Sequence, residues 1–322
     1  MSNKLATVGK PGELVYKEEP IPSAKDDTIV IKNHYIGINL VDIHQLQRII
    51  NLTGSDILGL ENAGEVIQVG KDVTKFKVGD RVISTVGMSY ANFTELPNSL
   101  LHHVTKLPDD ISYETAIGVG LQGVTAYPIA TKEYSVKKGD FVLVHAAAGG
   151  VGIMLVQLLT NLGANVIGTV STEEKAQIAK KFGATHTINY TNEDIAKRVM
   201  EITRGEGVPL ALDGVGKSTF NASLNSLRRK GIVVYYGSAS GYPQTELTTM
   251  MLAKNLKIHG GAIYNYEEEG DGTDEWWHKL FDMVRSGSLK TYVSKTYTFD
   301  QVQEAFDEMD GRKTVGKCLI KL

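Results

Sequence analysis

The octapeptide His145-Ala146-Ala147-Ala148-Gly149-Gly150-Val151-Gly152 decides the fold, because it closes an apolar run of strand length at 141–146 and opens an amphipathic run of helix length at 150–162. Small residues at this junction let the backbone approach a pyrophosphate, the helix start offers unpaired amides and a positive dipole end, and Gly152 lets the helix pack closely on a sheet. The Ala-x-x-Gly-x-x-Gly spacing varies the usual glycine fingerprint and, taken alone, also describes a turn that holds nothing. Context separates the two readings. Strand candidates at 141–146, 165–170, 186–189, 210–213 and 232–237 alternate with helix candidates at 150–162, 172–182, 192–203 and 217–229, the pattern of a parallel sheet with crossover helices. A nicotinamide dinucleotide is therefore expected on the loop.

Which dinucleotide depends on the end of the second strand, about 20 residues beyond the loop, where a carboxylate for the ribose 2′-hydroxyl marks an NAD site. Here Val166-Ile167-Gly168-Thr169-Val170 runs into Ser171-Thr172, and Lys175 follows on the next helix. A neutral hydroxyl and a cation suit a 2′-phosphate. Glu173 and Glu174 fall in the first helical turn, where carboxylates meet the dipole favourably without touching a cofactor. NADPH is expected over NADH. Lys175 is read as the phosphate clamp, with a solvated helix lysine as the alternative.

Outward from this core, the preceding third of the chain is β-rich, with strands at 28–35, 63–69 and 81–85 separated by the turn residues Gly70-Lys71-Asp72 and Lys77-Val78-Gly79-Asp80. Ser112, after the turn Lys106-Leu107-Pro108-Asp109-Asp110, is placed to cap a helix that carries Glu114 in its first turn. Beyond 261 a helix at 275–286, a strand at 291–298, a helix at 300–309 and a final strand at 317–322 follow. A chain of 322 residues without repeats, low-complexity segments or a long linker is expected to form two domains packed with a cleft between them. Its 33 glycines, about a tenth of the chain against a usual ~7 per cent, imply many tight turns.

The formal net charge of -3 supplies no global basic field for nucleic acid or anionic lipid. Lys137-Lys138 and Arg228-Arg229-Lys230 read as solvated helix ends rather than a phosphate track. The first ten residues lack the apolar core of a secretory signal, and no apolar run approaches the ~20 residues that span a bilayer, so a cytoplasmic protein is expected. Cys318, the single cysteine, excludes an intrachain disulfide and every multi-cysteine zinc arrangement, and reads as a small apolar residue of the last strand.

With these residues in hand, the chain resembles the zinc-independent quinone oxidoreductase branch of the medium-chain dehydrogenase/reductase superfamily, the group that includes zeta-crystallin. The resemblance rests on Gly37-Ile38-Asn39-Leu40-Val41-Asp42, on Gly64-Glu65-Val66-Ile67-Gln68-Val69-Gly70 with Val78-Gly79-Asp80-Arg81-Val82, on the glycine loop itself, and on Asp213-Gly214-Val215-Gly216 and Tyr236-Gly237-Ser238-Ala239-Ser240-Gly241. It implies an α/β fold in which a Rossmann-type, doubly wound parallel sheet at 123–261 is inserted into a β-rich, GroES-like catalytic domain formed by 1–122 and 262–322. It further implies cofactor contacts at Asn39, Thr125, Ala148, Gly149, Gly150, Val151, Gly152, Ser171, Lys175, Tyr190, Ser238 and Arg312, with Asn39 and Thr125 toward the nicotinamide and Asn39 the candidate catalytic residue. A homodimer, pairing edge strands near 255–260, is implied as well.

Zinc-dependent relatives use a cysteine, a histidine and a further ligand. Here Asn39 stands in the region of the first ligand, and Gly59-Leu60-Glu61 stands where they read Gly-His-Glu. Without a Lewis acid to hold an alcohol, hydride donation to an electron-poor acceptor is the expected chemistry, with the cofactor carrying the hard step. A quinone takes its protons from solvent. An enone or 2-alkenal is the alternative acceptor and needs a positioned proton source. RNA binding or a crystallin-like role is the alternative of another class. The branch's Tyr-x-Arg-x-Gly-x-Tyr pattern is replaced by His44-Gln45-Leu46-Gln47-Arg48-Ile49-Ile50, where His44 is open to reading as a proton source or a polar wall. The segment 262–266 is a candidate lining of the acceptor site.

Overall fold

The computed structural model describes residues 2–51, 54–245, 247–266 and 274–322, apart from the side chains of 247–250 and 264. It divides into two compact units: Met1–Leu121 with Glu267–Asp282 and Thr291–Leu322, and Gln122–Tyr266 with Met283–Lys290.

The second unit is built on six parallel strands in the order Ala184–Asn189, Asn165–Val170, Phe141–Val144, Val208–Asp213, Leu227–Tyr235 and Lys257–Gly260. Crossover helices Gly150–Asn161, Glu173–Lys181, Ile195–Ile202 and Phe220–Ser226 connect them. Leu143, Ile167, Ala211 and Val233, one from each of the four central strands, are fully buried in one apolar cluster. Each large aliphatic side chain so buried contributes about 1.5–3 kcal/mol. The chain runs outward from Phe141–Val144 on one side and resumes at Val208–Asp213 on the other. The glycine loop therefore opens at the topological switch point, where α/β sheets hold their ligands.

The helix expected over 217–229 is shorter than its amphipathic pattern, because the chain is already extended at Leu227. Lys230 takes φ 61°, and the pairing skips from Val208↔Leu227 to Leu210↔Ile232. This bulge leaves Arg228, Arg229 and Lys230 exposed on a strand rather than at a helix end.

In the first unit, strands Val293–Thr298, Lys317–Lys321, Thr28–Ile38, Asn62–Val69, Arg81–Ser84 and Val104–Lys106 lie in that order, and Phe93–Pro97 also pairs with Thr28–Ile38. The C-terminal strand completes this sheet antiparallel to Thr28–Ile38, with Cys318 buried opposite Ile38. A separate ladder of Asn3–Val8 and Leu14–Glu19 had no sequence signal, since Leu14–Glu19 is mostly exposed and lacks an apolar alternation. The Ser112 hydroxyl caps helix Tyr113–Thr131, accepting the Thr115 N–H at 3.0 Å.

This sheet carries an ion pair out of reach of water. Lys317 Nζ meets Glu61 Oε2 at 2.5 Å, and the two side chains are 1% and 0% exposed. The other oxygen of Glu61 accepts the Leu121 N–H at 2.7 Å, beside Gly120, whose φ of 56° breaks helix Tyr113–Thr131. Removing one partner strands a buried charge, so Lys317→Met is expected to cost about 3–5 kcal/mol in urea unfolding. Adding Glu61→Gln should recover most of that loss. A double variant no more stable than the single one would show that the pair is not what holds this region.

Candidate functional site

Loop geometry follows from its small residues. Ala146 takes φ 50°, and the Gly149 N–H donates to Ala146 O at 2.8 Å, which turns the chain sharply into helix Gly150–Asn161. Gly149 occupies the N-cap and brings no side chain, so the first-turn amides are left uncapped. The three glycines have different reasons to be glycine. A Cβ on Gly152 would lie 2.1 Å from Ala146 O, so the loop's own backbone forbids it. A Cβ on Gly150 would lie 2.1 Å from the Gln122 carboxamide. Over Gly149 the nearest atom, Ala146 O, would be 3.2 Å away, still a tight contact but looser than at the other two.

Parallel pairing places Ser171, Tyr190 and Ser238 beyond the carboxyl ends of strands of one sheet. Ser171 follows Asn165–Val170, and Thr172 caps helix Glu173–Lys181 by accepting the Lys175 N–H at 3.2 Å, which sets half-buried Lys175 in the first turn. Tyr190, 39% exposed, follows the adjacent strand and donates its N–H to Val170 O at 3.1 Å. Ser238 follows Leu227–Tyr235, its hydroxyl bonded to that of Tyr235. Thr125 lies one turn after Gln122 in helix Tyr113–Thr131.

A buried network not foreseen from the sequence supports the loop. Asp213 ends its strand fully buried and accepts hydrogen bonds from the Val215 and Gly216 N–H groups and from the Thr219 and Ser223 hydroxyls, at 2.7–2.9 Å. Ser223 spends its only proton on Asp213, so His145 Nε2 donates to Ser223 at 2.9 Å and Nδ1 accepts from Thr169 at 3.1 Å. Burial lowers the His145 pKa and keeps the ring neutral, as this tautomer requires. The chain of bonds ends at the Ala146 N–H, 3.3 Å from Thr169 Oγ1. Its only sequence signal was a carboxylate closing an apolar strand before a Gly-x-Gly turn.

Asn39 and Arg312 belong to the first unit. Arg312 is exposed, at φ 55°, just after helix Val302–Asp310. Asn39 is 6% exposed at the start of helix Leu40–Leu46. Its Nδ2 donates to Glu61 Oε2 at 2.9 Å and to Gly37 O at 3.2 Å, while its Oδ1 accepts from Lys317 Nζ at 3.0 Å. Both amide hydrogens are committed, so a ligand meeting this side chain has to donate to Oδ1.

Asp42, fully buried in the same helix, accepts from the Asn39 N–H at 2.8 Å and the Tyr90 hydroxyl at 3.0 Å through one oxygen. Its other oxygen has no partner. His44 is half-buried, and burial lowers its pKa against the pull of Asp310. Gln45, Arg48 and Ile50 line a cavity of about 280 Å³, where Arg48 pairs with Asp56 at 3.1 Å. Within 262–266, the side chain of Tyr264 lies outside the described residues.

Burial pushes the Asp42 pKa from 3.8 to about 7, against the opposing Asn39 N–H, Tyr90 hydroxyl and Lys317. Between those values the folded carboxyl keeps a proton that the unfolded one has released, so its contribution to stability falls as pH rises through that window and is flat above it. Asp42→Asn should therefore gain about 2–3 kcal/mol relative to the natural protein on going from about pH 5 to about pH 8 in urea unfolding. An equal difference at both pH values would mean that Asp42 titrates as in water.

The model of the alcohol dehydrogenase GroES-like domain matches residues 25–136, and that of the zinc-binding dehydrogenase family matches 150–279. A 2-haloacrylate reductase from Burkholderia sp. is 36% identical over 97% of this chain and 96% of its own. A quinone oxidoreductase from Pseudomonas aeruginosa is 33% identical over 98% of each chain. The crystal structure of Escherichia coli quinone oxidoreductase complexed with NADPH superposes with a TM-score of 0.92 at 33% identity, covering 100% of this chain and 99% of that one. The residues here do not fit the zinc of the second family description. Asn39 and Leu60 offer neither thiolate nor imidazole, and the Lys317 ammonium on Glu61 opposes a second cation. Among the described residues, no cluster of three or more His, Cys, Asp or Glu side chains could hold a metal ion. The covalent frame and its relatives agree, and the chain belongs to the quinone oxidoreductase branch of the medium-chain dehydrogenase/reductase superfamily.

Proposed function

We propose that this chain is an NADPH-dependent oxidoreductase that delivers reducing equivalents to a quinone without a metal ion. The observation that carries the reading is the uncapped start of helix Gly150–Asn161, with Ser171 and Lys175 rather than a carboxylate where the next strand ends. In this reading Ala148, Gly149, Gly150, Val151 and Gly152 bind the pyrophosphate through their backbone, and Ser171, Lys175 and Tyr190 hold the phosphorylated adenosine. Thr125, Ser238, Asn39 and Arg312 supply further contacts. Residues 123–261 form the dinucleotide domain, and 1–122 with 262–322 the catalytic domain of a homodimer. NADPH binding by the Escherichia coli relative supports the choice of cofactor.

The bound dinucleotide would supply the hydride, and the protein's task is to orient it and exclude water. No side chain is assigned as proton donor, since the lowered pKa of His44 leaves it neutral near pH 7 and a quinone takes protons from solvent. One observation favours a second reading, reduction of an activated double bond: the relative named 2-haloacrylate reductase.

Steady-state assays with NADPH and NADH against ortho-quinones, para-quinones, 2-alkenals and 2-haloacrylate, with EDTA present, test both readings. Quinone turnover with NADPH is expected to survive EDTA. Turnover of alkenes alone would select the second reading, and no turnover of any acceptor would sink both. Lys175→Ala should raise the KM for NADPH about tenfold or more and leave that for NADH in place. An unchanged preference between the two cofactors would remove the clamp from Lys175.

A further inference from the structure

Gln122 belongs to none of the motifs and to none of the contacts assigned above. Its side chain is only 8% exposed, and its Oε1 is shielded from water without a hydrogen-bond partner. The carboxamide lies against the first residue of helix Gly150–Asn161, since a Cβ built on Gly150 would come within 2.1 Å of Cδ, Nε2 and Oε1 alike. A buried acceptor without a donor is destabilising, and a leucine would fill the same space without that cost. Packing therefore does not explain a polar residue here. Its nitrogen does, because Gln122 stands one turn before Thr125 and against the start of the helix whose amides no side chain caps, where Nε2 is the end of the carboxamide able to donate to an anion while Oε1 stays unpartnered.

We infer that Gln122 is a binding residue for the dinucleotide, donating from Nε2 to the phosphate or ribose oxygens drawn in by the glycine loop. The inference rests on reading that loop as a dinucleotide site. A phosphate oxygen only accepts, so it takes an amide hydrogen and repels a carboxylate. A bare helix start behaves in the opposite way, because its dipole favours a carboxylate. Replacing Gln122 by glutamate thus separates a ligand contact from a packing residue.

The test uses the full chain as Gln122→Leu and Gln122→Glu, measuring the Kd for NADPH and for ADP-ribose by calorimetry and the Tm without ligand. Gln122→Leu is expected to keep or raise the Tm while weakening both ligands about tenfold, the loss of one hydrogen bond to a charged group. Gln122→Glu should weaken both further, by a margin that shrinks as salt screens the repulsion. A leucine variant within about twofold of the natural Kd, or a glutamate variant that binds as tightly as glutamine, would overturn the inference and leave Gln122 a packing residue. Failure of the natural protein to bind either ligand would overturn the loop reading itself, and the inference with it.

Discussion

An ammonium and a carboxylate with no access to water organise the first unit. Lys317 comes from the last strand and Glu61 from the residue before strand Asn62–Val69, so their bond ties the end of the chain to the middle of the β-rich region. The pair dictates its surroundings. A Cβ on Gly37 would lie 2.1 Å from Glu61 Oε2, and one on Gly120 would lie 2.2 Å from Oε1, so a side chain at either position would push the carboxylate off its partners. It also sets Asn39. An ammonium has only hydrogens to give and a carboxylate only lone pairs, so the amide must turn its oxygen to Lys317 and its nitrogen to Glu61. A buried pair of this kind is weak evidence of net stability, because apolar residues of the same volume often serve as well. Its consequence here is a fixed orientation at a residue that the family resemblance puts beside the nicotinamide.

In the second unit the governing constraint is the space around a turn. Ala146 is held in the left-handed region, and its carbonyl crowds the Cα of Gly152 while the amide of Gln122 crowds that of Gly150. The turn is supported from below by the bonds that run from Asp213 through Ser223, His145 and Thr169 to the Ala146 N–H. With its protein side so fully determined, the loop leaves its uncapped amides to a ligand.

Much of this architecture was legible because the second unit has two clean periods. Strands such as Val208–Asp213, buried at every position, read as continuous apolar runs, and helix Glu173–Lys181 announces itself by Thr172 and the two glutamates after it. Legibility ended where the signal was not periodic. Arg228, Arg229 and Lys230 continue a helical pattern in sequence, yet a bulge places them on a strand. Leu14–Glu19 pairs through its backbone with little apolar content to betray it. Ser171 and Lys175 were accessible from their spacing beyond the glycine loop and Tyr190 and Ser238 from the family resemblance, whereas Lys317 was only the first residue of a terminal strand and Gln122 belonged to no motif. Contacts formed across long stretches of sequence, such as the one between Glu61 and Lys317, leave no local pattern.

The central claim is that a dinucleotide with a 2′-phosphate lies on this loop. A crystal structure of the chain grown with saturating NADPH tests it most directly. The account predicts pyrophosphate density on the amides of Gly150, Val151 and Gly152, over the Cα of Gly149, and a 2′-phosphate beside Ser171 and Lys175. A bare loop at saturation, or a dinucleotide bound elsewhere on the chain, would contradict it.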